Sequence, residues 1–276
     1  MDSMISVPFK NRVITAILLI ALVAGVVFFV PEFIYAAMVV FLTGIGLYEF
    51  YSLIEKKGIL IYKYFGIAVG ALIPLSIYFR FESTKGWELL FIATATLIFF
   101  VLQFVRKDSS QAIIGISTTL FGIFYVSWFF SFLIKIKFLD SGTQLVAFLL
   151  AVTKMGDIGA YIIGSNFGKR ILISRISPKK TLEGALGGFI FSVLTAIALG
   201  MFYIKFIPLI HLIALGVLLG IIAQLGDLCE SLIKRDCGVK DSGNYFPGLG
   251  GVLDIIDSVI FTSPIFYYYI LHFNIV

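Results

Sequence analysis

Histidine and cysteine are almost missing from this chain: 276 residues contain two of each, Cys229 and Cys237 in one stretch and His211 and His272 elsewhere. That leaves no cluster of thiolates and imidazoles at zinc-site spacing, so a structural zinc fold is excluded. The two cysteines read as reduced thiols on a cytoplasmic face. Charge is equally scarce. Charged residues make up 13% of the chain, against about 25% in ordinary soluble domains. With 60% hydrophobic residues and a mean hydropathy of +1.05, a soluble domain is excluded and an integral membrane protein is expected. The formal net charge of +5 is spread over short loops and forms no patch or arm, which excludes nucleic acid as a partner. No internal repeat or low-complexity linker offers a cut point.

What is present is a series of apolar runs near the length that crosses a bilayer, about 17 to 25 residues. Nine are expected as spans: Val13–Val30, Phe33–Ile54, Tyr64–Phe79, Trp87–Val105, Ala112–Ile134, Leu145–Gly164, Leu182–Ile204, Leu209–Ile233 and Val252–Phe273. The third is short and contains Pro74, so a re-entrant segment is its alternative. Lys10 and Arg12 precede the first run, which exceeds the core of a signal peptide, about 7 to 15 residues, and is expected to be a retained span. The fold class is therefore all-α and polytopic, read as one integrated membrane domain. Residues 1–110 serve as a helical scaffold, and residues 111–276 carry a cytoplasm-facing cavity.

Orientation follows from lysine and arginine in alternate loops. Of the 21 such residues, 15 fall on one side: Lys10, Arg12, Lys56, Lys57, Lys63, Arg106, Lys107, the five from Lys169 to Lys180, and Lys234, Arg235 and Lys240. Five fall on the other, Arg80, Lys85, Lys135, Lys137 and Lys205, and Lys154 lies inside a span. This places the N-terminus in the cytoplasm, the C-terminus outside, and the polar loops Ser165–Thr181 and Asp236–Gly251 both on the cytoplasmic side of the inner membrane.

Charged groups inside spans cost about 2.5 to 3.5 kcal/mol each on the insertion scale and therefore mark a site or a self-neutralising pair. Glu49 reads either as a site member or as a helix-end carboxylate reaching the interface. Lys154 and Asp157, three residues apart, read either as a site or as an intrahelical pair. The stretch Gln224–Ser258 is different, because Asp227, Glu230, Ser231 and Lys234 share one helical face. Arg235 follows, then a glycine-rich loop with Lys240 and Asp241, then Asp254 and Asp257 one helical turn apart. Carboxylates beside bases suit a divalent cation with a polyphosphate. Asp254 and Asp257 near a helix start also suggest backbone N–H groups able to receive phosphate oxygens. The other loop offers Lys169, Ser177, Lys179, Lys180 and Thr181 to an anion, or as a positive-inside anchor. Gly184, Gly187 and Gly188 suit close helix packing.

Taken together, these residues resemble the phosphatidate cytidylyltransferase (CDP-diacylglycerol synthase) family. Its C-terminal signature, S-x-x-K-R-x4-K-D followed by P-x-H-G-G-x-x-D-R-x-D, is matched by Ser231, Lys234, Arg235, Lys240, Asp241, Pro247, Gly250, Gly251, Asp254 and Asp257. Asp157, Ala160, Tyr161, Gly164, Gly168, Lys169, Ser177 to Thr181, Glu183, Gly184, Gly187 and Gly188 match its central motifs. Leu249 and Ile255 depart from the pattern, which has His and Arg there. The resemblance covers roughly Asp157–Ser258.

The resemblance implies a Mg²⁺-dependent enzyme, with one metal site or two, that joins CTP to phosphatidate in the bilayer and releases diphosphate. It implies a catalytic set of Asp227, Asp254, Asp257, Lys234 and Ser231, with Asp227 and Asp254 as the metal ligands. Substrate contacts would come from Arg235, Lys179, Lys180, Thr181, Lys240, Asp241 and Asp157. A homodimer is compatible with all of this. Two other functions fit the same residues: a CTP-dependent kinase of a polyprenol or other lipid alcohol, which needs a general base, and a cation- or proton-coupled transporter using the carboxylates as an ion path.

Overall fold

Apolar runs of this length can satisfy their backbone polar groups in lipid only as helices or closed barrels, and here they form helices. The computed structural model describes residues 9–81, 87–106 and 108–275. Lys85 and Lys107, used above for orientation, and the C-terminal Val276 lie outside them. The helices are α1 (Phe9–Phe29), α2 (Glu32–Lys56), α3 (Lys63–Tyr78), α4 (Trp87–Val105), α5 (Ala112–Gly122), α6 (Phe129–Lys137), α7 (Gly142–Phe167), α8 (Leu182–Phe202), α9 (Leu209–Asp236) and α10 (Val252–His272). A π-helical turn, Ile123–Trp128, joins α5 to α6 in one continuous rod.

The nine apolar runs coincide with nine helical segments, but the expected nine crossings are not supported by length. Among the described residues, six helices are long and apolar enough to cross a membrane: α2, the composite Ala112–Lys137, α7, α8, α9 and α10. The shorter apolar stretches are Ile14–Phe29, Lys63–Tyr78 and Leu90–Val105. The 16 residues of α3 reach about 24 Å at 1.5 Å per residue, against a hydrocarbon core of about 30 Å. The protein is thus an all-α, multi-pass integral membrane protein with at least six membrane-length helices. Its one described exception to helix is a small antiparallel hairpin, β1 (Ile171–Ile173) and β2 (Ser177–Thr181), with Ile171 opposite Thr181.

Helices α7 to α10 pack in sequence, and α10 returns against α6 and α2. Close approach of α7 and α8 depends on glycine: a Cβ on Gly187 would sit 2.5 Å from Ile163 Cβ, and one on Gly188 would sit 2.8 Å from the Gly156 carbonyl oxygen. Van der Waals packing of this kind is what holds helices together in lipid, where no hydrophobic driving force operates between them. Outward faces carry Leu18, Phe104, Leu186 and Ile210, all exposed, while Leu145, Phe148, Leu149, Leu219 and Phe266 are fully buried.

Candidate active site

The site is built where the C-terminal end of α9 meets the start of α10. Gly250 adopts φ +92°, and a Cβ there would lie 2.4 Å from Asp254 Oδ2, so only glycine fits this turn. The first turn of a helix leaves backbone N–H groups without intrahelical partners. In α10 two carboxylates take them. Asp254 Oδ2 accepts from Gly251 N at 2.7 Å. Glu49, reaching in from α2, accepts from Val252 N at 2.9 Å and Leu253 N at 2.7 Å. Ser242 Oγ bonds to both carboxylates, at 3.0 Å to Glu49 and 2.7 Å to Asp254. The expectation that these N–H groups await phosphate oxygens is therefore corrected, because Glu49 and Asp254 already occupy them.

Helical spacing along α9 puts Asp227, Glu230, Ser231 and Lys234 on one face, and the structure brings Glu230 and Lys234 into an ion-pair chain with α10. Lys234 bridges the fully buried Glu230 and Asp254, with Nζ 2.5 Å from Asp254 Oδ1. Asp254 thus has Oδ1 on a lysine and Oδ2 on three N–H or O–H donors. The carboxylates that converge are instead Asp227, Glu230 and Asp257, whose oxygens lie within 4.8 Å of one another. Glu230 Oε1 has no hydrogen-bond partner among the described residues. Three carboxylates at that spacing, one with an unused buried oxygen, fit a hard divalent cation. The structure groups Asp227 with Asp257 and Glu230 and not, as expected, with Asp254.

Lys180 forms an ion pair with Asp227, which brings the hairpin loop to the cluster. Lys180 is half-buried while its neighbour Lys179 is exposed. Thr181 caps α8 by accepting from Gly184 N at 3.1 Å. Ser231 Oγ is 3.5 Å from Asp227 Oδ1, at the limit of a hydrogen bond. Arg235 spends its Nε and one Nη on the carbonyls of Ile176 and Val239, both at 3.2 Å, and so ties the hairpin to the α9–α10 loop. Lys240 and Asp241 are exposed on that loop. Asp157 lies in a second network. Lys154 Nζ donates to Asp157 Oδ2 at 3.0 Å, to Ser258 Oγ at 2.8 Å and to the carbonyl of Ile255 at 2.8 Å. This lysine is therefore both an intrahelical partner and a tie from α7 to α10. At the position where the family pattern has Arg, it supplies a cation to the Ile255 backbone.

The residue set implied by the resemblance left out Glu49, Glu230 and Lys154, although the sequence marked all three as possible site members, and it also left out Ser242 and Ser258. Glu230 had a usable signal, since it lies one turn from Asp227 on the same face. Ser242 had none.

Buried carboxylates and lysines thus gather at the polar end of an apolar helical bundle, in a cluster that could hold a metal ion. The chain belongs to the cytidylyltransferase family, whose profile matches residues 10–273. It is similar to the phosphatidate cytidylyltransferase of Synechocystis sp., with 34% identity covering 94% of this chain and 96% of that protein. The Bacillus subtilis protein of the same name is 29% identical over 97% of this chain and its own full length. That of Thermotoga maritima is 33% identical over 74% of this chain and 76% of its own. The protein is accordingly a nucleotidyltransferase of the membrane.

Proposed function

We propose that this chain makes CDP-diacylglycerol from CTP and phosphatidate, releasing diphosphate, as a step of phospholipid biosynthesis. Family membership and the names of its relatives support the reaction. The convergence of Asp227, Glu230 and Asp257 beside Lys180 and Lys234 is the observation that supports this cluster as its site.

A phosphatidate oxygen forms a bond to the α-phosphorus of CTP, and the α–β phosphoanhydride bond breaks with its electron pair leaving on diphosphate. The attacking phosphate is already anionic, so no strong base is required, and positioning with charge neutralisation carries the catalysis. Asp227, Glu230 and Asp257 would hold Mg²⁺, which when bound supplies positive charge to the phosphate oxygens. Lys180 lies beside Asp227 and is placed to exchange that carboxylate for a phosphate oxygen when substrate arrives. Lys234 keeps Glu230 and Asp254 in register. Lys179 and Lys240, exposed on the two loops, present charge to the incoming nucleotide. Arg235 holds the two loops together, and Asp157 is held by Lys154 and Ser258.

The same reading has nine crossings, with α3 as a locally thinned span, the N-terminus in the cytoplasm, and the protein in a bacterial inner membrane. The lysine and arginine asymmetry supports it. A homodimer is compatible with this arrangement. The test is purified protein with α-labelled CTP, phosphatidate micelles and Mg²⁺. Label should appear in a CDP-lipid with release of diphosphate, whereas a phosphorylated lipid with labelled CDP would mean a kinase.

A further inference from the structure

The π-helical turn between α5 and α6 carries two buried polar groups that the mechanism above does not use, Tyr125 Oη and Trp128 Nε1. Tyr125 is 1% exposed, and its hydroxyl has no hydrogen-bond partner among the described residues. Its ring is fixed on several sides: Phe121 stacks on it at 5.5 Å and 4°, Phe50 lies at 6.1 Å, and Phe261 at 5.6 Å. Phe261 stands one turn beyond Asp257 on α10. It also packs on Gly226, where a Cβ would be 3.4 Å from the Phe261 ring and 2.8 Å from the Asp257 carbonyl oxygen. Gly226 is thus the point where α9 and α10 cross, and the residue after it is Asp227. Tyr125 therefore sits against the crossing that brings the three carboxylates together.

Phenylalanine would fill this aromatic setting equally well and would avoid burying an unbonded hydroxyl, which costs stability. A π-helical turn is itself rare and occurs often at functional sites. Glu230 Oε1, in the cluster held together by that crossing, is also without a hydrogen-bond partner among the described residues, so an unused donor packs against the crossing and an unused acceptor belongs to the cluster it assembles. A group carrying oxygens that both accept a hydrogen bond and bind a cation would complete both, and phosphate has that chemistry.

We propose that the Tyr125 hydroxyl is a further substrate contact, donating a hydrogen bond to a phosphate oxygen bound at the Asp227–Glu230–Asp257 cluster. The proposal rests on the cytidylyltransferase reading. The phosphate is that of the nucleotide or of the lipid, and the kinetics separate the two.

The experiment compares wild type with Tyr125→Phe. kcat/KM should fall about 10- to 100-fold, the loss expected for a hydrogen bond to a charged group. A rise in KM for CTP alone assigns the contact to the nucleotide, and a rise in KM for phosphatidate alone assigns it to the lipid. Thermal stability without ligands should hold or rise, because the variant removes an unpartnered buried hydroxyl. A structural role would move both quantities downward together. Wild-type kcat/KM in Tyr125→Phe overturns the proposal, as does a lower melting temperature, which would mean that the hydroxyl has a protein partner. A second readout is the thermal shift produced by inorganic diphosphate with Mg²⁺, which should be larger in wild type than in Tyr125→Phe. Equal shifts, or none in wild type, also overturn it. Failure of wild type to form a CDP-lipid would instead refute the cytidylyltransferase reading, and the diphosphate shift still decides Tyr125.

Discussion

Replacing Glu49 tests how the start of α10 is held. This side chain is 2% exposed and belongs to α2, yet it accepts from Val252 N, Leu253 N and Ser242 Oγ at 2.9, 2.7 and 3.0 Å. Glu49→Ala leaves two backbone N–H groups at a buried helix start without acceptors. At about 1 to 3 kcal/mol for each orphaned donor, and with the loss of a carboxylate near a helix N-terminus, the cost is roughly 3 to 5 kcal/mol. Glu49→Gln keeps one acceptor oxygen but turns an amide donor toward N–H donors, so about half that loss is expected. The effect should be local as well as global, since Asp254 and Ser242 are held by the same cap. The assays are thermal unfolding in detergent and limited proteolysis at Lys240, on the exposed α9–α10 loop. Both variants should melt at lower temperature, with cleavage at Lys240 faster in Glu49→Ala. Unchanged melting and cleavage in Glu49→Ala would show that the cap bears no load and refute the reasoning.

Asp254→Ala removes one partner of a buried ion pair and the acceptor for Gly251 N, so a stability loss of about 3 to 5 kcal/mol is expected by thermal unfolding. An unchanged melting temperature would free Asp254 for another role. Gly187→Leu forces a side chain into a space where even a Cβ lies 2.5 Å from Ile163. Overpacking should cost about 1 to 3 kcal/mol, read as a lower melting temperature with little change in KM. Lys56→Cys and Lys179→Cys, made without Cys229 and Cys237, should react with an impermeant maleimide from the same cytoplasmic face. Labelling from opposite faces would contradict the topology.

Hydropathy made most of the helical segments readable, because lipid leaves the backbone few alternatives. The run Trp87–Val105 became α4 with the same ends. The number of crossings was not readable in this way, since the 16 residues of α3 fall short of the bilayer and composition alone does not say how they are accommodated. The π-helical turn had no signal in the pattern IFYVSW. In the site, spacing correctly placed Asp227, Glu230 and Lys234 on one face. It could not divide labour between Asp254 and Asp257. Both carry the same group, but Asp254 stands three residues after Gly251, the spacing that lets a helix-start carboxylate bond back to its own cap. Asp257, one turn further in, stays with Asp227 and Glu230. Glu49 was least legible, because its partners lie more than 200 residues away and only tertiary packing joins them.

The central claim is that CMP transfer takes place at Asp227, Glu230 and Asp257. Transfer of α-label from CTP to phosphatidate, measured across a Mg²⁺ titration in wild type and Asp257→Asn, tests it most directly. The substitution keeps shape but removes one of three carboxylates crowded within 4.8 Å of one another. Label in the lipid should fall by at least about 100-fold at every Mg²⁺ concentration, while metal-free thermal stability holds or rises. Wild-type turnover in Asp257→Asn with an unchanged Mg²⁺ dependence would place the reaction elsewhere and contradict the account.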